Sequence, residues 1–225
     1  YSITDGQMNL TSAGTPGSDA NRISKASAFA GSILYKLKFN NMTITPGLRY
    51  EDIVLGRDNF GSNDFDRTGS DLSTRENKVS IFIPGIGFNY KLNNSTSLFG
   101  GVHKGFSPPG NTVGQESEES INYELGSRFN IKGLRGEVVG FYNDYSNLLG
   151  SDLAASGGTG SLEQFNAGEV GVKGIELLLN YDLLQNDTSY AFPVTFGYTF
   201  TDTEFLNSFG SDDGLWGEVQ SGDEL

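Results

Sequence analysis

Residues 121–130 read INYELGSRFN, and their parity decides how the chain folds. Ile121, Tyr123, Leu125 and Phe129 share one side, with Ser127 as the single polar member, while Asn122, Glu124, Gly126, Arg128 and Asn130 share the other. Side chains that alternate with a period of two belong to an extended strand with one apolar and one polar face. What covers the apolar face, a second layer of protein or lipid, determines the fold class.

The same alternation recurs along the chain. Odd positions from Phe29 to Phe39 are mostly apolar, and after Asn40 and Asn41 the set Met42, Ile44, Pro46, Leu48 and Tyr50 stands opposite Thr43, Thr45, Gly47, Arg49 and Glu51. Further strands are predicted near 78–92, where Ile81 and Ile83 blur the start, near 96–106, near 134–146 with ambiguous parity, near 167–181 and near 190–202. Short turns at 40–41, 93–96, 131–133 and 183–188 alternate with long Gly/Ser/Asp-rich connections at 56–76, 107–118, 148–165 and 203–225. Strands of globular proteins cluster near ~5–6 residues. Eight strands of about a dozen residues, with short connections at one end and long ones at the other, suit a transmembrane β-barrel better. A soluble β-sandwich, which also alternates and is rich in glycine turns, is the alternative at this point.

Composition narrows the field further. Of 225 residues, 36% are hydrophobic, 12% are aromatic and 31 are Gly, a mixture suited to strands and turns. No apolar run approaches the ~20 residues of a spanning helix, which leaves a β-barrel as the membrane option. The balance of 15 Lys+Arg against 28 Asp+Glu gives a formal charge of -13, unsuited to a broad nucleic-acid surface. With 0 Cys, disulfides, thiol catalysis and Cys-ligated zinc drop out. No Ser–His–Asp set, phosphate loop or paired-carboxylate site stands out, so no enzyme activity and no cofactor are expected. The chain opens on Tyr1 without a legible signal peptide, and reads as a piece of a longer protein.

Specific wording carries the reading beyond pattern. ITPGLRYEDI at 44–53, GVHKGFSPP at 101–109, INYELGSRFN at 121–130, GEVVGFYNDYSNLL at 136–149 and FNAGEVGVKGIELLLNYDL at 165–183 resemble, in this order and spacing, the barrel of TonB-dependent outer-membrane receptors, closest to the ferric citrate branch. The resemblance implies an all-β, antiparallel transmembrane β-barrel of about 22 strands, of which residues 1–225 hold roughly eight consecutive ones as a single partial domain. The plug, the TonB-binding segment and the closing strands are expected outside it. It further implies active uptake of ferric chelates, ferric citrate or another siderophore, across the outer membrane. The partners it implies are the chelate, the TonB energy-transducing complex acting through the plug, and lipid. A passive channel or a surface-binding barrel is the rival.

Ferric chelates are anionic, and bidentate arginine suits carboxylates. Arg57, Arg67 and Arg75 in the predicted 56–76 loop are therefore the ligand candidates, with Asn111 and Gln115 as neutral hydrogen-bonding groups. Solvated loop charges among Asp58, Asp64, Asp66 and Asp71 are the competing reading. Arg49, Glu51, Glu124 and Arg128 fall on the polar parity, hence on the lumen wall, where Arg–carboxylate ladders or plug contacts are expected. His103 is the only histidine, so no multi-histidine metal site is expected, and it is placed on the lumen side as a hydrogen-bonding residue. Asp202 with Glu204, and Asp212 with Asp213, are acidic pairs whose spacing matches no established cation loop. On the face assignment, Leu125→Arg should be costly and Gly126→Ser mild.

Overall fold

The computed structural model describes residues 2–9, 21–147, 149–151, 164–166, 168–184, 190–210 and 218–224. Eight long strands form: β1 (Arg22–Leu34), β2 (Met42–Asn59), β3 (Ser73–Lys91), β4 (Thr96–Ser107), β5 (Glu118–Ile131), β6 (Leu134–Ser146), β7 (Val170–Asp182) and β8 (Pro193–Phe205). With the short piece Leu37–Phe39, which also pairs with β2, they make one nine-stranded antiparallel sheet in which each long strand lies beside its sequence neighbours. Its two edges are β1 and β8.

The turns explain the connectivity at the short end. Lys132 and Gly133 both take positive φ, 49° and 84°, the pairing that a two-residue type I′ hairpin requires and that matches strand twist. At the next short turn, the Asn93 side chain accepts the Ser95 N–H at 2.8 Å and Leu92 N–H donates to the Thr96 carbonyl at 3.0 Å. Both turns leave only enough chain to reverse direction. The connection from β7 to β8 spans 183–192, of which 185–189 lie outside the described residues.

Several boundaries differ from the sequence expectation, the first strand among them, which runs Arg22–Leu34 rather than 29–39. β2 runs to Asn59 and β3 starts at Ser73, so the connection is 60–72 rather than 56–76, and positions 56–59 and 73–76 are strand. β8 likewise continues to Phe205. Most of the expected 148–165 loop lies outside the described residues.

Register assigns the faces. Gly31, Tyr50 and Phe82 stand in one row, as do Val102, Tyr123 and Tyr142, with the Tyr50 and Phe82 rings 4.9 Å apart. The same face carries Ile33, Leu48, Ile86, Phe88, Leu125, Ile175, Phe196 and Phe200, all exposed. On the inner strands the opposite face is the less exposed one. Along β3, Phe82 is 60% exposed while its neighbour Ile81 is 7% exposed, and buried polar side chains such as Asn77, Ser120 and Asn122 share Ile81's parity. The sheet is therefore inverted relative to a soluble sandwich, with its apolar face uncovered by protein. Ile81 and Ile83 blurred the sequence pattern because they sit on this other face, beside Ile53. β6 was ambiguous for the converse reason. Its apolar-face positions include Gly136 and Gly140, and a Cβ on Gly136 would meet the Phe129 ring and Leu179.

On β2 to β4 and β6 to β8 the apolar band stops toward the long connections, while β1 and β5 carry Phe29 and Ile121 one row higher. Above Tyr50, Phe82, Val102, Tyr142, Ile175 and Phe200, the same face turns to charge. There Lys78 pairs with Asp52 at 3.7 Å, Lys104 with Glu119 at 2.6 Å, and Lys173 with Asp202 and Glu204 at 3.2 and 3.5 Å, while Lys25 pairs with Asp58. Below that line the bands on β2 and β3, residues 42–50 and 82–90, have the ~9–11 residues that a tilted membrane strand needs. The packed cluster of Val170, Phe205 and Val219, joined by Tyr145 and Val172, lies on the polar-parity face at the charged end. There the chain after β8 returns, with Phe205 N–H bonded to the Asp223 carbonyl at 2.9 Å and Gly222 N–H to that of Phe205 at 2.8 Å.

Position 126 revises one expectation. A Cβ at Gly126 would lie 2.7 Å from the Val138 carbonyl oxygen and against the Phe99 ring, so Gly126→Ser is strained rather than mild. The face test is better made with Leu125→Arg against Glu124→Gln, both made in the full-length protein and folded into lipid vesicles. Urea titration should show a loss of about 2–4 kcal/mol for the first, if Leu125 sits near the bilayer midplane, and a change within about 0.5 kcal/mol for the second. Equal losses would reject the assignment of faces.

Candidate oxyanion site at the loop end

Beyond the charged line β2 and β3 continue as a hairpin, and their polar-parity face carries arginine. Arg57 and Arg75 stand directly opposite each other in the ladder. Arg22 enters from β1, paired with Asn59 one step further up. These three arginines, with Asn59, Ser73 and Thr74, line a hollow of about 300 Å³. A concave site lined by guanidinium groups is suited to an oxygen-rich anion, because each guanidinium offers several fixed donors.

The connection 108–117 closes one side of this region. Arg75 Nε donates to Asn111 Oδ1 at 2.8 Å. Buried Asn77, two residues further along the same face of β3, donates through Nδ2 to the carbonyls of Gly110 at 3.2 Å and Gln115 at 3.0 Å. Gln115 folds back so that its Oε1 accepts the Gly110 N–H at 3.0 Å, while its buried Nε2 has no hydrogen-bond partner. Four of the five sequence candidates thus fall together: Arg57, Arg75, Asn111 and Gln115. Arg57 and Arg75 reach that position as strand residues and not as loop residues.

Arg67 is separate. It lies in the 60–72 connection with φ of 53°, its Nε donates to Asn21 Oδ1 at 3.0 Å, and its guanidinium lies 5.6 Å from the Phe60 ring centroid. The connection is organised around Asp64. Oδ1 accepts the Thr68 N–H at 2.7 Å and the Thr68 hydroxyl at 2.9 Å, and Oδ2 accepts the Gly69 N–H at 2.7 Å. Asn21 ties the same turn to the start of β1 by donating to the Gly61 and Asp64 carbonyls at 3.0 and 2.8 Å. Burial pushes the Asp64 carboxyl up, but the donors from Thr68, Gly69 and Ser70 outweigh it and hold the group below its ordinary value. The 60–72 connection is thus a turn built around one carboxylate.

The residues placed on the lumen wall pair locally. Arg49 donates to Glu51 at 2.6 Å; Arg128 pairs with Glu137 across the ladder and lies 3.9 Å from the Phe99 ring centroid. Glu124 shares their face, opposite Gly101 and Phe141. His103 is on that face too, exposed, and its backbone carbonyl rather than its ring accepts a bond, from Asn122 at 3.4 Å. Asp202 and Glu204 are the partners of Lys173. Asp212 and Asp213 lie outside the described residues. Among the described residues no group of three metal-ligating side chains forms.

Residues 1–219 match the family model described as TonB dependent receptor-like, beta-barrel. Among solved structures, the ferric citrate transporter FecA in its unliganded form aligns with a TM-score of 0.64 at 21% identity, covering 82% of this chain and 27% of FecA. The siderophore receptor PiuA from Acinetobacter baumannii aligns at 0.65 and 16%, covering 89% and 30%. The FrpB iron transporter from Neisseria meningitidis, F5-1 variant apoprotein, aligns at 0.60 and 17%, covering 81% and 26%. The chain thus spans less than a third of the length of each. No curated protein matches by sequence.

The Asp64 turn yields a pH prediction. A carboxylate held below its ordinary 3.8 stabilises the folded turn above that value, and the contribution is lost as pH falls through the lower folded value. Amide exchange over 60–72, corrected for intrinsic rates, should be flat from pH 7 down to about the ordinary aspartate value and accelerate only below it. Asp64→Ala should give fast exchange at every pH. Wild-type acceleration between pH 7 and 5 would contradict the assignment.

Proposed function

Since the chain belongs to the TonB-dependent receptor-like β-barrel family, an outer-membrane architecture, we propose that it is one segment of the wall of a receptor that imports ferric chelates, with recognition of anionic oxygen donors by Arg22, Arg57 and Arg75. The observation that carries this reading is the arginine hollow itself, which stands at the long-connection end of β1–β3, above the line where the apolar band stops. In this orientation the long connections face outward from the cell and meet the chelate first. The remaining strands, the plug and the segment that engages TonB belong to the rest of the protein, and energy input arrives through them. The eight strands present two unpaired sheet edges that neighbouring strands of the same barrel would close.

Family membership supports the receptor architecture, and the names of FecA, PiuA and FrpB support iron chelates as the cargo class. The arginines favour a chelate with carboxylate or similar oxyanion groups over a neutral one. Each guanidinium contact to such a group contributes on the order of 1.5–3 kcal/mol. Arg49, Glu51, Glu124 and Arg128 lie further down the polar face, on the lumen side, and are assigned to wall structure and plug contact.

The test uses the full-length receptor in outer membranes with ferric citrate as the first probe. Replacing Arg57 and Arg75 together by Ala should weaken binding at least tenfold while membrane insertion stays normal, and Arg22→Ala should act in the same direction. Arg67→Ala should leave affinity within twofold, because Arg67 is engaged with Asn21 and Phe60. If ferric citrate and a catecholate chelate both bind the Arg57/Arg75 variant as they bind wild type, the hollow is not the recognition site.

A further inference from the structure

The ladder between β3 and β4 is incomplete. It runs from Lys91–Ser97 only to Gly85–His103, although β3 continues with β2 as far as Ser73. It stops one residue short of Pro84, which has no N–H to offer a neighbouring strand. Beyond this point the 108–117 strap meets the polar-parity face of β3, where the carbonyls of Gly110 and Gln115 accept from the Asn77 side chain. The strap thus stands next to the arginine hollow, and it carries Asn111, Gln115 and Glu116, with Glu118 directly after.

We propose that this strap is a latch that an anionic ligand must displace: Asn111 holds Arg75, and an anion entering the hollow competes with Asn111 for the same guanidinium. This rests on the oxyanion reading of the hollow. Two independent features carry it. Arg75 is shared, since it both lines the hollow and donates to Asn111. The strap also holds a buried donor with no partner, Gln115 Nε2, and a buried amide N–H of this kind costs free energy until an acceptor reaches it. A ligand that loosens the strap takes over the Asn111 contact to Arg75 and gives Gln115 an acceptor oxygen. A neutral or cationic solute makes no such exchange. Asn111 acts here as a positioning residue for Arg75, setting how large a charge the ligand must bring to open the latch.

Citrate titration and amide exchange on the full-length receptor, in wild type, Asn111→Ala and Asn111→Asp, test this. The two variants separate competition from mere loss of structure, because they should move in opposite directions. Asn111→Ala should bind citrate about tenfold tighter, equivalent to about 1.4 kcal/mol, and exchange strap amides faster without ligand. Asn111→Asp, which holds Arg75 by a charge, should bind citrate more weakly and exchange them more slowly. Citrate should accelerate exchange over 110–117 in wild type. If citrate binds all three alike, or if ligand-free strap exchange is the same in both variants, the latch is overturned while the oxyanion site stands. If citrate does not bind wild type at all, the oxyanion reading falls and the competition falls with it.

Discussion

Backbone hydrogen bonding between neighbouring strands is the constraint on which the rest of the structure depends. An apolar face that protein does not cover must be covered by lipid, and lipid offers no partner to an N–H or C=O group. Every residue inside the band has to find its backbone partner on the adjacent strand. That requirement accounts for the sequential pairing from β1 to β8 and for turns as short as Lys132-Gly133. Among the described residues the ladder along β2 is broken at Tyr35 and Lys36, where the Tyr35 N–H still donates to the Pro46 carbonyl at 3.0 Å, and the β3–β4 ladder ends at Gly85–His103, close to the upper limit of the apolar band.

The two faces then divide the work. The apolar face carries Phe82, Leu125 and Phe200 and anchors the wall; the polar face carries pairs such as Arg49 with Glu51 and Arg128 with Glu137. These are exposed pairs worth little individually, and their use is to keep charge satisfied along a wetted surface. The exceptional place is the top of β1–β3, where three cationic side chains converge and the nearest connection supplies amides. Arg57 stands opposite Arg75 in the ladder there, with Arg22 beside them.

Much of this was legible in the residues. Alternation located all eight strands, and the contrast between short and long connections separated the two ends. It failed where both faces were mixed. At DIVLGRDN, 52–59, apolar and polar residues fall on each parity, so the upper part of β2 read as loop although Arg57 keeps the polar face. Arg22 was missed because RISKASAFAG, 22–31, opens with small residues that hardly alternate; the signal that would have found it is the register, since β1 must run as far as β2 does. Arg67 read like its neighbours in composition but is drawn aside by Asn21 and Phe60, a tertiary contact that no local pattern announces. The mildness expected at Gly126 failed because the Phe99 ring covers it from the next strand.

The central claim is that the exposed apolar parity faces lipid. Because residues 1–225 contain no cysteine, spin labels can be placed at 81–90 one at a time, in the full-length receptor reconstituted in bilayers. Collision with oxygen, which partitions into lipid, and with a water-soluble nickel chelate then reports each side. The account predicts high oxygen and low nickel accessibility at 82, 84, 86, 88 and 90, with the reverse preference at 81, 83, 85, 87 and 89. Accessibility without this period of two, or with the parities exchanged, would contradict it.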